Sequence, residues 1–67
     1  MNTETPHQLR FIRMRDLTSK VGLSRSEIYR RVKSGRFPQP IHLGARAVAW
    51  SSDLIEQWQV EQIRGSS

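Results

Sequence analysis

Between Gly22 and Glu27 the chain stops one helix and starts another, and this tight succession restricts the possible folds more than any other feature. Asp16 to Val21 fits about two turns of helix, with Leu17 and Val21 on one face at i, i+4. Gly22 suits the left-handed conformation that ends helices. Ser24-Arg25-Ser26-Glu27 has the form of a capping box: the Ser24 hydroxyl accepts the Glu27 backbone N–H, and the Glu27 carboxylate returns to the Ser24 N–H. Leu23, between stop and start, is expected to point inward. Two helices joined this closely form a helix-turn-helix arrangement.

The second helix continues through Ile28, Tyr29 and Val32 to Ser34, where Gly35 supplies the stop. At 100° per residue, Ile28 and Val32 share one side while Ser26, Tyr29, Arg30 and Lys33 share the other. Phe37-Pro38-Gln39-Pro40 cannot be helical, because each proline forces the residue before it to be extended, so it reads as a rigid connector. Ile41-His42-Leu43 and Ala47-Val48-Ala49-Trp50 read as two short strands around Gly44-Ala45-Arg46, a β-hairpin or wing with Arg46 at or beside its tip. Ser51 or Ser52 can cap a last helix with Asp53 in its first turn. Leu54, Ile55, Trp58 and Ile63 give that helix an apolar stripe, and Gly65 ends it.

Ahead of the first helix, Leu9, Phe11, Ile12 and Met14 form a short apolar lead-in. Residues 1–8 are polar, contain Pro6 and lack periodicity, and read as a flexible arm. The expected organisation is therefore an arm (1–8), one domain (9–64) and a tail (65–67), with no internal repeat. The expected fold class is mainly α with a small β-hairpin, a winged helix-turn-helix.

A chain of 67 residues buries only about 60% of its unfolded surface, and with no cysteine it must hold itself together by apolar packing, assisted by dimerisation if at all. No apolar run is long enough for a membrane span, and no signal peptide stands at the start, so a cytoplasmic location, associated with the nucleoid, is expected. The formal charge is +5. Its distribution is uneven: Arg10 to Arg46 holds ten of the eleven Lys and Arg against Asp16 and Glu27, a local balance of +8, whereas Arg64 stands against Asp53, Glu56 and Glu61 in the last helix. A basic working part and a mildly acidic support favour a polyanionic partner.

Double-stranded DNA is the expected partner, because the second helix of a helix-turn-helix is the one presented to the major groove. Arg25, Ser26, Tyr29, Arg30, Lys33, Arg36 and Arg46 are the candidate contacts. Arg can bond guanine bidentately and Ser can bond several base edges, so Arg25 and Ser26 at the helix start are read as base contacts. Lys33 and Arg36 suit phosphates. Tyr29 has two readings, a phosphate or thymine-methyl contact, or packing at the core edge with its hydroxyl exposed. Arg31 points between the faces and can pair with Glu27 at i, i+4. Arg46 can approach the sugar-phosphate backbone or the minor groove. Trp50 and Trp58 are assigned to the core rather than to a base-stacking platform. No cofactor and no metal site are expected: His7 and His42 lack companions at ligand spacing. No phosphate-cradling glycine loop and no nucleophile with a base argue for an enzyme.

The blocks Leu23-Ser24-Arg25-Ser26-Glu27-Ile28-Tyr29-Arg30, Gly35-Arg36-Phe37-Pro38-Gln39-Pro40 and Leu43-Gly44-Ala45-Arg46-Ala47-Val48-Ala49-Trp50, in that order, closely resemble the AlpA family of phage and prophage regulators. The resemblance covers roughly Leu9 to Ile63. It implies a MerR-like, excisionase-related winged helix-turn-helix, DNA binding through matched positions Arg25, Tyr29, Arg30 and Arg46, and control of prophage or genomic-island genes, often tied to excision. At Glu27 the sequence departs from the Thr of the family block, and Glu27 is read as a cap rather than a DNA contact. Three functions fit these features. The first is a transcriptional regulator, with a second copy on DNA and RNA polymerase as further partners. The second is an excisionase-type directionality factor that bends an attachment site beside an integrase. The third is a protein-interaction module in which the basic helix docks an acidic partner.

Overall fold

A computed structural model describes residues 10–65. The expected arm, Leu9 of the lead-in and the last two residues of the expected tail lie outside the described residues. The elements run β1 (Phe11–Ile12), α1 (Met14–Val21), α2 (Arg25–Lys33), β2 (Ile41–His42), β3 (Val48–Ser51) and α3 (Ser52–Gly65). No helix among the described residues is long and apolar enough to cross a membrane.

The turn between α1 and α2 is built as its residues dictate. Gly22 lies at φ 73°, ψ 23°, and its N–H donates to the Thr18 carbonyl at 2.9 Å, closing α1. Ser24 is extended and its Oγ accepts the Glu27 N–H at 3.1 Å, opening α2. Half of the expected capping box is absent, however. The Glu27 carboxylate bonds Arg30 and Arg31 instead of returning to the Ser24 N–H, because two guanidiniums one turn along the helix offer charged donors where the backbone offers a neutral one. Nothing lies within 4 Å of a Cβ built at Gly22, so a substitution there meets a backbone penalty and no clash. Gly22→Ala is expected to cost about 1 kcal/mol, read as a lower denaturant midpoint at unchanged slope.

The lead-in is a third strand. Phe11 pairs with Ser51 and Ile12 with Trp50, so β1 lies antiparallel to β3, and β2 lies antiparallel on the other side with Ile41 opposite Ala49 and His42 opposite Val48. The sheet order is β1-β3-β2. Two residues are too few to show an alternation, and their backbone groups find partners only because β3 is there to accept them. Helix α1 accordingly starts at Met14, two residues earlier than the capless Asp16 start suggested, and Met14 is buried.

Leu17, Ile28, Trp50 and Ile55 are fully buried and form one core with Met14 and Phe37; Ile12, Val21, Leu23, Val32, Val48 and Trp58 pack at its margin. Leu23 thus points inward as its place in the turn required. The stripe on α3 is narrower than its sequence indicates. Ile55 is buried and Trp58 half-buried, but Leu54, at the edge of the stripe, is 43% exposed, and Ile63 is 73% exposed because α3 outruns the small core. Ser51 Oγ accepts the Leu54 N–H at 3.4 Å, so Ser51 rather than Ser52 carries the cap contact.

The connector after α2 is held by both tryptophans. Trp50 Nε1 donates to the Pro38 carbonyl at 2.9 Å and Trp58 Nε1 to the Arg36 carbonyl at 3.1 Å, while the Phe37 ring meets Trp58 edge to face at 4.8 Å between centroids. Gln39 Nε2 reaches back to the Val32 carbonyl at the end of α2. Chain rigidity from two prolines is thereby converted into a fixed position relative to the core, which is what holds the end of α2 still.

Candidate nucleic-acid interface

Helix α2 is the element on which the candidate residues converge. Its inner side is anchored by buried Ile28 and half-buried Val32, its start by the Ser24 cap, and its end by a backbone stop in which the Gly35 N–H donates to Val32 and the Arg36 N–H to the Arg31 carbonyl at 2.8 Å. Gly35 lies at φ 77°, the conformation such a stop requires. With position and rotation fixed, the opposite side of the helix is fixed too. Ser26, Tyr29, Arg30 and Lys33 are all exposed there, and Arg25 is exposed at the helix start.

Of the two readings of Tyr29, the outward one agrees with its placement: it is 46% exposed and takes no part in the core cluster. Arg30 has a side chain 74% exposed, yet it is held by a 2.9 Å contact from Nη1 to Glu27 Oε1. Arg31 lies at the flank, its side chain 33% exposed, with Nε donating to Glu27 Oε2 at 2.9 Å as the i, i+4 spacing indicated. Arg30, Arg31 and Lys33 gather in the last turn of α2 and Glu27 lies in its first, the distribution that the helix dipole favours, with Arg25 at the helix start as the exception.

Arg36 stands just beyond α2 with an exposed side chain on a doubly held backbone, its N–H bonded to Arg31 and its C=O to Trp58. Sequence reasoning placed Arg36 near the helix end but not this support. The missing signal was the pairing of Trp58 with a residue 22 positions away, which no local pattern encodes. Arg46 is exposed on a separate element, the turn of the wing, closed by the Leu43 N–H to the Ala47 carbonyl at 2.7 Å and the Ala47 N–H to the Gly44 carbonyl at 3.4 Å. So the fold brings four candidates onto one helix face, exposes Arg25 at the start of that helix, sets Arg36 beside its end, and carries Arg46 on the hairpin. Helix α3 buttresses α1 from behind, with Gln59 Nε2 donating to the Lys20 carbonyl at 3.4 Å. Its acidic residues lie on that supporting helix and not on α2.

A helix pair joined by a tight turn, a small antiparallel sheet with a projecting hairpin, and a supporting helix define a winged helix-turn-helix-like domain. The chain belongs to the AlpA family: residues 10–63 match the family model described as Prophage CP4-57 regulatory protein (AlpA). A relative from Enterobacteria phage P4, described as uncharacterized protein ORF88, is 38% identical over 58 residues. That match takes in 87% of this chain and 66% of the relative, so the chain spans just under two thirds of the relative's length. The family resemblance read from the three sequence blocks is therefore borne out over nearly the whole described domain.

Proposed function

We propose that this protein binds double-stranded DNA sequence-specifically and regulates transcription of prophage or genomic-island genes. The observation that carries the reading is the outward face of α2, where Ser26, Tyr29, Arg30 and Lys33 are exposed together, with Arg25 exposed at the helix start, on a helix whose other side is locked into the core. A helix of this width enters the major groove, which is about 12 Å across, and these side chain types suit its base edges and flanking phosphates. Arg25 and Ser26 read bases, with Arg30 beside them; Lys33, Arg36 and Arg46 hold phosphates. Membership of a family described as prophage regulatory supports transcriptional control over the excisionase-type alternative. One domain this small covers a short site, so selective occupancy uses two copies on the DNA.

Selection of preferred sites from a random duplex pool, followed by titration of the winner and a scrambled duplex across a salt series, tests this. The expected outcome is a preference of about 10³ or more for the selected site, with affinity falling as salt rises. Equal binding to both duplexes, lost together at moderate salt, would replace the proposal with the protein-interaction reading.

A further inference from the structure

Glu27 is the one carboxylate of α2, and it lies between two arginines. Its Oε1 accepts Arg30 Nη1 and its Oε2 accepts Arg31 Nε, each at 2.9 Å, and its own backbone N–H is held by Ser24 Oγ. We infer that Glu27 is a positioning residue for Arg30: the carboxylate holds the guanidinium so that its remaining edge reads a guanine, and its negative charge makes the helix more selective by weakening its attraction for phosphates of any sequence. This rests on the DNA-binding reading above and assigns a specificity role within that site.

Exposure decides which arginine is the reader. A guanidinium presents two N–H groups side by side along its Nε–Nη2 edge and again along its Nη1–Nη2 edge, and either spacing matches guanine O6 and N7. Glu27 takes Arg30 through Nη1, on the other side of the group, so the Nε–Nη2 edge of Arg30 is intact and donates to nothing among the described residues. Arg31 gives up Nε to the same carboxylate and keeps its Nη1–Nη2 edge, but its side chain is only 33% exposed, against 74% for Arg30, and lies at the flank. One carboxylate thus holds two chemically identical side chains, and their unequal exposure makes Arg30 the reader and Arg31 the brace.

An exposed ion pair adds little to folding stability, so the consequence of this contact falls on the conformation of Arg30. An unrestrained arginine gives up much rotamer freedom when it docks; one already tethered gives up less, and it presents its edge in one orientation rather than many. The Glu27 charge acts in the opposite sense on non-specific binding. It sits beside Arg30 and Arg31, where it offsets part of their charge and weakens their attraction for phosphates regardless of sequence.

The test uses the full chain and a set of duplexes that each carry one base-pair change from the selected site. Wild type is expected to discriminate about tenfold or more at one G·C pair that Arg30→Ala makes indifferent. Glu27→Gln is expected to lower the discrimination at that same pair at least threefold, leave the others unchanged, and bind scrambled duplex more tightly than wild type does. In the double variant, Glu27→Gln should change that discrimination no further. Arg30→Lys, which keeps the charge but lacks the planar edge, should lose the same base pair while retaining the salt dependence, and it reads out the guanine contact even if Glu27→Gln destabilises the fold. Discrimination unchanged in Glu27→Gln, or lowered equally at every position as a merely structural residue would do, overturns the inference while the DNA-binding reading stands. A wild type with no preferred site overturns both.

Discussion

Trp50→Ala is expected to abolish cooperative unfolding at room temperature and above, leaving a chain without a thermal transition by circular dichroism. Trp50 is fully buried at the centre of β3, its ring in the core with Leu17, Ile28 and Ile55 and its indole N–H on the Pro38 carbonyl. Truncating a buried aromatic residue to Ala costs about 3–5 kcal/mol through lost transfer energy and the cavity left behind. At 0.05–0.15 kcal/mol per residue a domain of this length has on the order of 3–10 kcal/mol in all, so the loss takes most or all of it. The carbonyl left without its donor adds about 1–3 kcal/mol if water does not reach it. Trp50→Phe separates the two contributions, since it keeps most of the apolar volume and removes the N–H; it should fold with a reduced midpoint. A Trp50→Ala protein that melts cooperatively within about 1 kcal/mol of wild type would show that the sheet does not rest on this residue.

How much of this architecture the sequence carries depends on the range over which each feature is determined. The α1–α2 turn is local: Gly22 and Ser24 set their own backbone and hydrogen bonds within three or four residues, and both behave as their chemistry requires. The inner and outer faces of α2 follow from helical geometry alone, which is why Ile28 and Val32 point in and Ser26, Tyr29, Arg30 and Lys33 point out, while Arg25 is exposed because it opens the helix ahead of the core contacts. Gly44-Ala45-Arg46 is likewise a local turn, and the hairpin around it forms in nearly the expected register. What escapes the sequence is set by partners far along the chain. Phe11–Ile12 is a strand because β3 lies beside it, forty residues later, and not because two residues prefer to be extended. Ile63 is exposed although it continues an apolar spacing, because the core ends before α3 does. The Glu27 carboxylate has two local patterns open to it, the return to the Ser24 N–H and the i, i+4 pairing with Arg31, and only the structure shows that the charged donors hold it.

Within the proposed interface, Arg25→Ala and Lys33→Ala are expected to weaken DNA binding in different ways, and the difference is more informative than either loss. Arg25 occupies the first position of α2, exposed beside the Ser24 cap, where the start of a recognition helix meets base edges. Removing it should cost about 1–3 kcal/mol on the selected site, relax the preference at one position, and leave binding to scrambled duplex much less affected. Lys33 lies on the last turn of the same helix, exposed, where the chain turns away towards the clamped connector. Losing its charge should weaken every duplex alike and reduce the slope of log affinity against log salt by about 1, as one fewer phosphate is neutralised. Neither side chain enters the core, so both variants should unfold at the wild-type midpoint, which makes the binding changes interpretable as contacts. The reverse assignment, with Arg25→Ala acting uniformly and Lys33→Ala relaxing one base pair, would mean that α2 lies in the groove with its C-terminal end deepest. Binding by both variants that matches wild type on every duplex would remove α2 from the interface altogether and transfer the search to the wing and the basic residues around α1.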